Sequence, residues 1–128
     1  MGLVEHPSNS ISAKAIGAAI EVHRHLGPGL LESSYQTCLR REMQLRGIQH
    51  RSQVRLPLRY KGIDIDNGHV LDLLIEDKLI IEIKSVETLL PIHSAQLMTY
   101  MRLLDVRAGL LMNFNVELLP RGIKRILR

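Results

Sequence analysis

The sequence predicts a small α/β domain in which helices cover a mixed central β-sheet. Two amphipathic helical segments come first, strand-like segments joined by short turns follow, and a further helix leads into a last buried strand. Antiparallel strands are commonly joined by tight turns, whereas a strand reached through a helix returns to the sheet by a crossover. The chain of 128 residues suits a single domain, residues 1–128, with one core.

The first two segments have helical periodicity, with apolar residues at intervals of three and four. The first helix runs to about Leu26, where the Gly-Pro-Gly sequence at 27–29 ends it. Pro28 is suited to the first turn of the second helix, which ends at Gly47. On this second helix Glu32 lies beside the apolar stripe.

The segment after the helices is predicted to be extended. Residues 53–65 form an expected strand, in which Pro57 indicates a sheet edge and Gly62 a bulge. The Asn-Gly pair at 67–68 is typical of a hairpin turn and leads into the strand that carries Asp72.

Residues 71–85 form the centre of the predicted sheet, as two apolar segments joined by a polar turn at 76–78. Continuous Leu and Ile runs are typical of strands buried on both faces. Asp72 interrupts the first run, and Glu82 and Lys84 interrupt the second. A carboxylate inside such a strand is costly unless it is paired or binds a metal.

The length of the turn decides whether these charges meet. Side chains alternate along a strand, so Glu82 and Lys84 point to one face. A two-residue loop would pair Asp72 with Ile83 and send Asp72 to the other face, whereas a three-residue loop at 76–78 sets Asp72 opposite Glu82. Three-residue hairpins are the next commonest kind, and we favour that register or an equivalent bulge.

Two interpretations of the opposed acids remain open from the pattern alone. Directly opposed like charges destabilise a sheet, so two carboxylates there require a cation between them. A hard divalent ion such as Mg²⁺ takes carboxylate oxygens and keeps several waters, and Lys84 would then lie beside a bound water or a substrate phosphate. The alternative is a structural salt bridge from Lys84 to Asp72 or Glu82.

The rest of the chain completes the sheet. A helix is predicted over residues 91–104, with Gln96 and Tyr100 as an i, i+4 pair on one of its faces. Residues 107–114 form a further buried strand, and residues 122–127 a short final strand or turn. The predicted order of elements is therefore α-α-β-β-β-α-β.

The charges are unevenly distributed along the chain, which has a formal net charge of +4. Basic residues dominate from Arg40 to Lys61, acidic residues dominate residues 64–87, and the C-terminal segment is basic again. This distribution suits a polyanion held over a metal site, although a solvated basic face would give the same counts.

Composition excludes several classes of function. Three tyrosines, one phenylalanine and no tryptophan argue against an aromatic platform for single-stranded nucleic acid. Cys38 is the only cysteine, which excludes an internal disulfide and a metal cluster built from thiolates. No apolar run approaches the roughly 18 residues that span a membrane, so we expect a cytoplasmic protein without membrane contact.

The order of elements and the central motif resemble the PD-(D/E)XK nuclease superfamily. The resemblance rests on the αβββαβ order, on Asp72, and on the Glu-Ile-Lys sequence at 82–84. It implies a PD-(D/E)XK nuclease-like core, in which a mixed central sheet is flanked by helices.

A second set of motifs resembles the GxxExxY family of that superfamily. Gly29, Glu32 and Tyr35 have the spacing of its signature, and residues 22–24 and 96–100 are also similar to it. Together with the central motif, the resemblance covers nearly the whole chain.

The resemblance implies roles for the charged residues. In active members of the superfamily the residues that match Asp72 and Glu82 bind Mg²⁺, or Mn²⁺, and the one that matches Lys84 positions or activates the attacking water. Glu32 would complete the metal shell. From its position near a helix N-terminus alone, Glu32 would simply interact favourably with the helix dipole.

Further residues are expected around the acids. Gln96 and Tyr100 match the Q-xxx-Y element of the exonuclease-like branch and would contact DNA or the metal shell, although an ordinary half-exposed pair has the same spacing. Arg24 and Arg55 are also expected to bind nucleic acid.

Two residues of the GxxExxY motif are expected to support the site structurally. We predict that Tyr35 is a packing residue that orients Glu32, and that Gly29 belongs to the turn before the second helix.

The sequence therefore predicts a Mg²⁺-dependent nuclease that hydrolyses phosphodiester bonds of DNA. The alternative is a catalytically silent module of the same fold that binds nucleic acid or a partner protein. A chain of this length leaves little room for a separate recognition domain, so a homodimer or a partner protein would supply specificity.

Overall fold

The structure is a computed structural model that describes residues 9–128. Its elements in chain order are α1 (Asn9–Leu26), α2 (Glu32–Leu45), β1 (His50–Arg55), β2 (Arg59–Tyr60), β3 (Ile63–Asp64), β4 (Val70–Ile75), β5 (Leu79–Lys84), α3 (Pro91–Leu104), β6 (Ala108–Asn113), a 3₁₀ turn (Leu119–Gly122) and β7 (Ile123–Leu127). Among these residues, no helix combines the length and the apolar character needed to cross a membrane.

Five strands form one mixed sheet in the order β1-β4-β5-β6-β7. β1, β4 and β5 are antiparallel neighbours, β6 runs parallel to β5 after the crossover through α3, and β7 is antiparallel to β6. This arrangement confirms the predicted fold class of a mixed sheet flanked by helices.

The two faces of β5 pack against different helices. Ile81 and Ile83 are buried with residues of α1 and α2, whereas Ile80 is buried with residues of α3. Because side chains alternate along a strand, Glu82 and Lys84 lie on the face that α3 covers. A one-residue slip would turn Glu82 toward the apolar core formed with α1 and α2, where an unpaired carboxylate is costly to bury, so burial fixes the register.

The turn between β4 and β5 has the predicted length. Ile75 pairs with Leu79, which leaves three residues in the connection. The N–H of Lys78 donates to the carbonyl of Ile75 at 2.9 Å. Glu76 and Asp77 have left-handed φ values of 50° and 57°, as in the hairpin turns whose twist matches that of the strands. The three-residue register is therefore confirmed.

The prediction of one strand over residues 53–65 is wrong. β1 ends at Arg55, and Pro57 follows without an N–H to donate to a neighbouring strand. Lys61 and Gly62 have φ values of 45° and 90°, and they reverse the chain between β2 and β3, which pair with each other. Gly62 therefore belongs to a turn and not to a bulge.

The Asn-Gly pair turns the chain, but not as a two-residue hairpin between long strands. The Asn67 side chain donates to the carbonyl of Leu56 at 3.1 Å and accepts from the N–H of His69 at 2.8 Å. Leu56 and His69 also share a backbone hydrogen bond of 3.0 Å. These bonds close the base of the β2–β3 insertion, which we define as residues 56–69.

Candidate active site

Asp72 and Glu82 stand opposite each other on adjacent central strands. The ladder pairs Leu73 with Ile81, and its continuation by one residue brings the two acids together. Oδ2 of Asp72 accepts a hydrogen bond of 2.8 Å from the N–H of Ile83. The N–H of Asp72 donates to Oε1 of Glu82 at 3.4 Å. The predicted meeting of the two carboxylates is therefore present in the structure.

The strand ladder opens around Asp72. Its carbonyl accepts a hydrogen bond of 3.1 Å from Nε2 of Gln36 on α2. On the other side, β1 pairs with the residues before and after Asp72. The β1 residue opposite it, Gln53, has a left-handed φ of 51°. The main chain of Asp72 thus forms hydrogen bonds with side chains at the point where the regular strand pairing is interrupted.

Burial changes the protonation of both acids. Glu82 is 8% exposed, and this burial, with the nearby charge of Asp72, raises its pKa to about 8. Burial also raises the pKa of Asp72, and the charge of Glu32 adds to that rise. At neutral pH the metal-free pair therefore retains a proton, which a bound cation would displace.

Lys84 lies beside the acids without forming an ion pair with them. Its positive charge lowers the pKa of Asp72 and of Glu82, against the larger effect of burial. Within residues 9–128, none of the ion pairs joins Lys84 to either acid. The alternative of a structural salt bridge is therefore wrong.

Tyr100, on α3, is a neighbour of the two acids. It is 8% exposed, and burial together with the charges of Glu82 and Asp72 raises its pKa. The phenol therefore stays protonated, and it lies near enough to the acids for their charges to act on it. Gln96 is exposed one helical turn earlier, and in the described part of the chain no hydrogen bond joins it to the acids.

Glu32 lies close enough to act on Asp72, but its carboxylate bonds elsewhere. It is the first residue of α2, and its Oε2 accepts a hydrogen bond of 3.0 Å from the N–H of Ser85. The Ser85 hydroxyl donates to the carbonyl of Leu30 at 2.6 Å. The turn before α2 is thus joined to the segment that directly follows Lys84.

Tyr35 is a core residue that fixes this turn. Its hydroxyl donates to the carbonyl of Gly27 at 2.6 Å and accepts from the N–H of Leu30 at 3.1 Å. Its ring stacks on Phe114, with 4.5 Å between the ring centroids. Gly29 lies in the turn with φ of 95°, a conformation that favours glycine. Tyr35 is thus a core residue and Gly29 a turn residue, and their support of Glu32 stays a prediction.

The sequence did not identify Gln36, Ser85 or Asn113 as residues of the site. Asn113 is 3% exposed, and its side chain accepts from the N–H of Val86 at 3.1 Å and donates to the Val86 carbonyl at 2.9 Å. It thereby holds the segment after Lys84 from the neighbouring strand β6. The side-chain amide of Asn113 inside a buried strand could have indicated this role, because buried polar groups are almost always hydrogen-bonded.

The two predicted arginines lie on the surface. Arg24, in the last turn of α1, pairs with Glu21 at 3.4 Å. Arg55, at the end of β1, pairs with Asp66. Both side chains are more than 70% exposed, and their binding of nucleic acid stays a prediction.

The chemistry of the paired acids fits a hard cation. No group of three His, Cys, Asp or Glu side chains within residues 9–128 is arranged to hold a metal, so Glu32 does not form such a group with the pair. Mg²⁺, however, is commonly bound through one or two carboxylates while waters fill its other positions. Asp72 and Glu82, opposed and buried, meet that requirement.

Comparison with known proteins identifies the family. Residues 9–126 match the family model described as the PD-(D/E)XK nuclease superfamily. No curated protein and no solved structure shows significant similarity to the chain. The family match extends over the three helices and over the sheet up to Ile126, including the two acids and Lys84. The chain belongs to the PD-(D/E)XK nuclease superfamily.

Proposed function

We propose that this protein is a metal-dependent nuclease that hydrolyses phosphodiester bonds of DNA. The observation that carries the proposal is the buried pair of Asp72 and Glu82, which face each other beside Lys84 without an ion pair to it. Membership of a nuclease superfamily supports hydrolysis of phosphodiesters as the reaction class. The cytoplasm is the compartment that we propose.

Asp72 and Glu82 would hold Mg²⁺ or Mn²⁺. Such an ion, when bound, lowers the pKa of a coordinated water and polarises the phosphoryl oxygen. The cation would also make burial of two ionised carboxylates tolerable, which the raised pKa values indicate is costly without it. Glu32 as a further ligand is part of the proposal, and its carboxylate would have to leave Ser85 to take that role.

Lys84 and Tyr100 would supply the remaining polar groups. The Lys84 ammonium is a fixed positive charge where negative charge develops during hydrolysis, and it would position the attacking water. The Tyr100 phenol, kept protonated by its raised pKa, offers an O–H donor on the α3 side of the acids. Gln96, Arg24 and Arg55 are proposed to contact the nucleic acid.

Cleavage assays on variants of the site residues and on one control variant test this function. Supercoiled plasmid and oligonucleotides of DNA and RNA are incubated with Mg²⁺, with Mn²⁺ or with chelator. Asp72→Asn, Glu82→Gln and Lys84→Met should each abolish cleavage, whereas Asp77→Asn, which changes an exposed acid in the same hairpin, should retain it. Cleavage that survives in all three variants would refute the proposal.

Calorimetric titration with Mn²⁺ distinguishes the alternative. An enzyme of the proposed kind takes up the ion at Asp72 and Glu82 and nicks plasmid. A protein that binds nucleic acid in a salt-sensitive manner, without metal uptake and without nicking, is instead the catalytically silent module.

A further inference from the structure

The β2–β3 insertion and α3 border an open cavity of about 810 Å³ next to the sheet. This volume lies within the roughly 300–1,000 Å³ of small-molecule sites. Part of the wall is aliphatic and consists of Leu56, Leu58, Ile65 and Leu103. Arg55, Arg59, Asp64, Asp66 and His69 contribute charged or polar groups to the same wall. An apolar surface beside convergent polar groups is typical of a ligand site.

The cavity adjoins the candidate active site. His69 lines it, and the rings of His69 and Tyr100 have centroids 6.4 Å apart. Tyr100 in turn lies near enough to Glu82 and Asp72 for their charges to contribute to its raised pKa. His69 and Tyr100 therefore connect the cavity with the two acids.

The two arginines of the cavity are paired with aspartates of the insertion. Arg55 contacts Asp66, and Arg59 lies 3.5 Å from Asp64. The four side chains are between 67% and 85% exposed. Exposed pairs of this kind contribute little to stability, so a phosphate can displace the carboxylates and bind the guanidinium groups in bidentate fashion.

We infer that this cavity binds one unpaired nucleotide of the strand that is cleaved. The phosphate lies on Arg55 and Arg59, and the base lies against the aliphatic wall. A base within a duplex does not enter such a cavity, whereas an unpaired base does. The cavity takes one nucleotide and is no platform for successive bases, in agreement with the low aromatic content. The inference rests on the proposed function.

Asp64 and Asp66 limit the affinity of this site. Each carboxylate occupies a guanidinium group that the phosphate requires, and each adds negative charge where the polyanion approaches. Removal of an aspartate should therefore strengthen binding, while removal of its arginine should weaken it.

Fluorescence anisotropy tests the inference with two DNA hairpins, one with a single-stranded overhang and one with a blunt end. Chelator prevents cleavage, so that affinity is measured independently of activity. Arg55→Gln should weaken binding of the overhang about fivefold at about 0.1 M salt and lower the salt slope by about 0.7, as expected for one lost phosphate contact on a single strand. Asp66→Asn should strengthen it, and the blunt hairpin should bind more weakly than the overhang.

Arg51 and Asp77 provide a matched control. They form an exposed pair of 2.7 Å that also starts on β1, and neither residue lines the cavity. Arg51→Gln and Asp77→Asn make the same changes of charge and should leave the affinity nearly unchanged. Equal effects of Arg51→Gln and Arg55→Gln, or equal binding of the two hairpins, would overturn the inference. Thermal melting checks that the exposed variants are folded.

The two proposals fail in different ways. A wild-type protein that neither binds nor cleaves polynucleotides would refute the proposed function and the inference together. Cleavage of DNA by the wild-type protein, with binding that does not respond to the cavity variants, would refute the inference alone.

Discussion

The side-chain amide of Gln36 donates a hydrogen bond of 3.1 Å to the main-chain carbonyl of Asp72. Helix α2 therefore holds the central strand at the residue that carries one of the two acids. On the other side of Asp72, the N–H donates to the carboxylate of Glu82. The position of the acid pair thus depends on a contact between residues 36 positions apart in the chain.

Gln36→Met should weaken Mn²⁺ binding while the protein stays folded. Methionine keeps the length of the side chain but removes the donor, so the Asp72 carbonyl loses its partner. Outer groups that orient metal ligands typically change affinity by roughly 10- to 100-fold, whereas one lost hydrogen bond costs about 1 kcal/mol of stability. Calorimetric titration and urea unfolding measure the two quantities.

Thr37→Ala is the matched control for Gln36. It removes a side-chain hydrogen bond of 3.0 Å to the carbonyl of Ser33 on the same helix, away from the acids. Its Mn²⁺ affinity should equal that of the wild type. If Gln36→Met also bound Mn²⁺ with unchanged affinity, the contact with Asp72 would have no role in positioning the metal site.

The pKa of Glu82 predicts how stability depends on pH in the absence of metal. The folded state raises this pKa from 4.5 to about 8, so between these values the folded state binds more protons than the unfolded state. The free energy of unfolding should therefore fall as pH rises from about 4.5 to about 8, and level off above that range.

Glu82→Gln removes the part of this dependence that comes from Glu82, while the raised pKa of Asp72 leaves a smaller one. The variant should melt at a higher temperature than the wild type at about pH 8 and at a similar temperature below about pH 4.5. Thermal melting in chelator over this range measures the difference, and Asp77→Asn should follow the wild-type curve. Parallel curves for Glu82→Gln and the wild type would show that Glu82 ionises normally.

The central hairpin could be predicted from the sequence because its signals are local. The apolar runs on either side of residues 76–78 fix which faces are buried, and three-residue turns are common, so Asp72 and Glu82 could be placed opposite each other. The turn within residues 53–65 could not be predicted in this way. Lys61 adopts a left-handed φ that side chains rarely take, and a single glycine beside it is compatible with a bulge as well as a turn.

Hydrogen bonds between residues far apart in the sequence could not be predicted from such local patterns. The bond from Gln36 to Asp72 and the bonds from Asn113 to Val86 join different elements, so no periodicity within one element reveals them. The sequence pattern gives only a weaker indication of such bonds, which is a polar side chain beside an otherwise apolar face.

Metal should stabilise the folded protein in a way that depends on Glu82. A ligand that binds only the folded state adds about 2.7 kcal/mol to the free energy of unfolding at a concentration of 100 times its Kd. Mg²⁺ should therefore raise the melting temperature of the wild type near pH 8, and much less that of Glu82→Gln. Na⁺ at matched ionic strength controls for screening. An equal shift in both proteins would place the ion elsewhere.

Asn113→Ala should destabilise the fold and lower cleavage together. The substitution removes the acceptor of the half-buried Val86 N–H and the shorter of the two hydrogen bonds to the Val86 carbonyl. An unsatisfied buried polar group costs roughly 1–3 kcal/mol, and a half-buried one less, so a loss of about 1–2 kcal/mol is expected by urea unfolding. Cleavage should fall because Val86 lies two residues after Lys84, whose position then becomes less defined.

Asn115→Ala is the control. The Asn115 side chain makes only a longer contact of 3.4 Å to the Val86 carbonyl, so its removal should cost less than about 1 kcal/mol of stability. Equal losses of stability in both variants would show that Asn113 does not hold this segment.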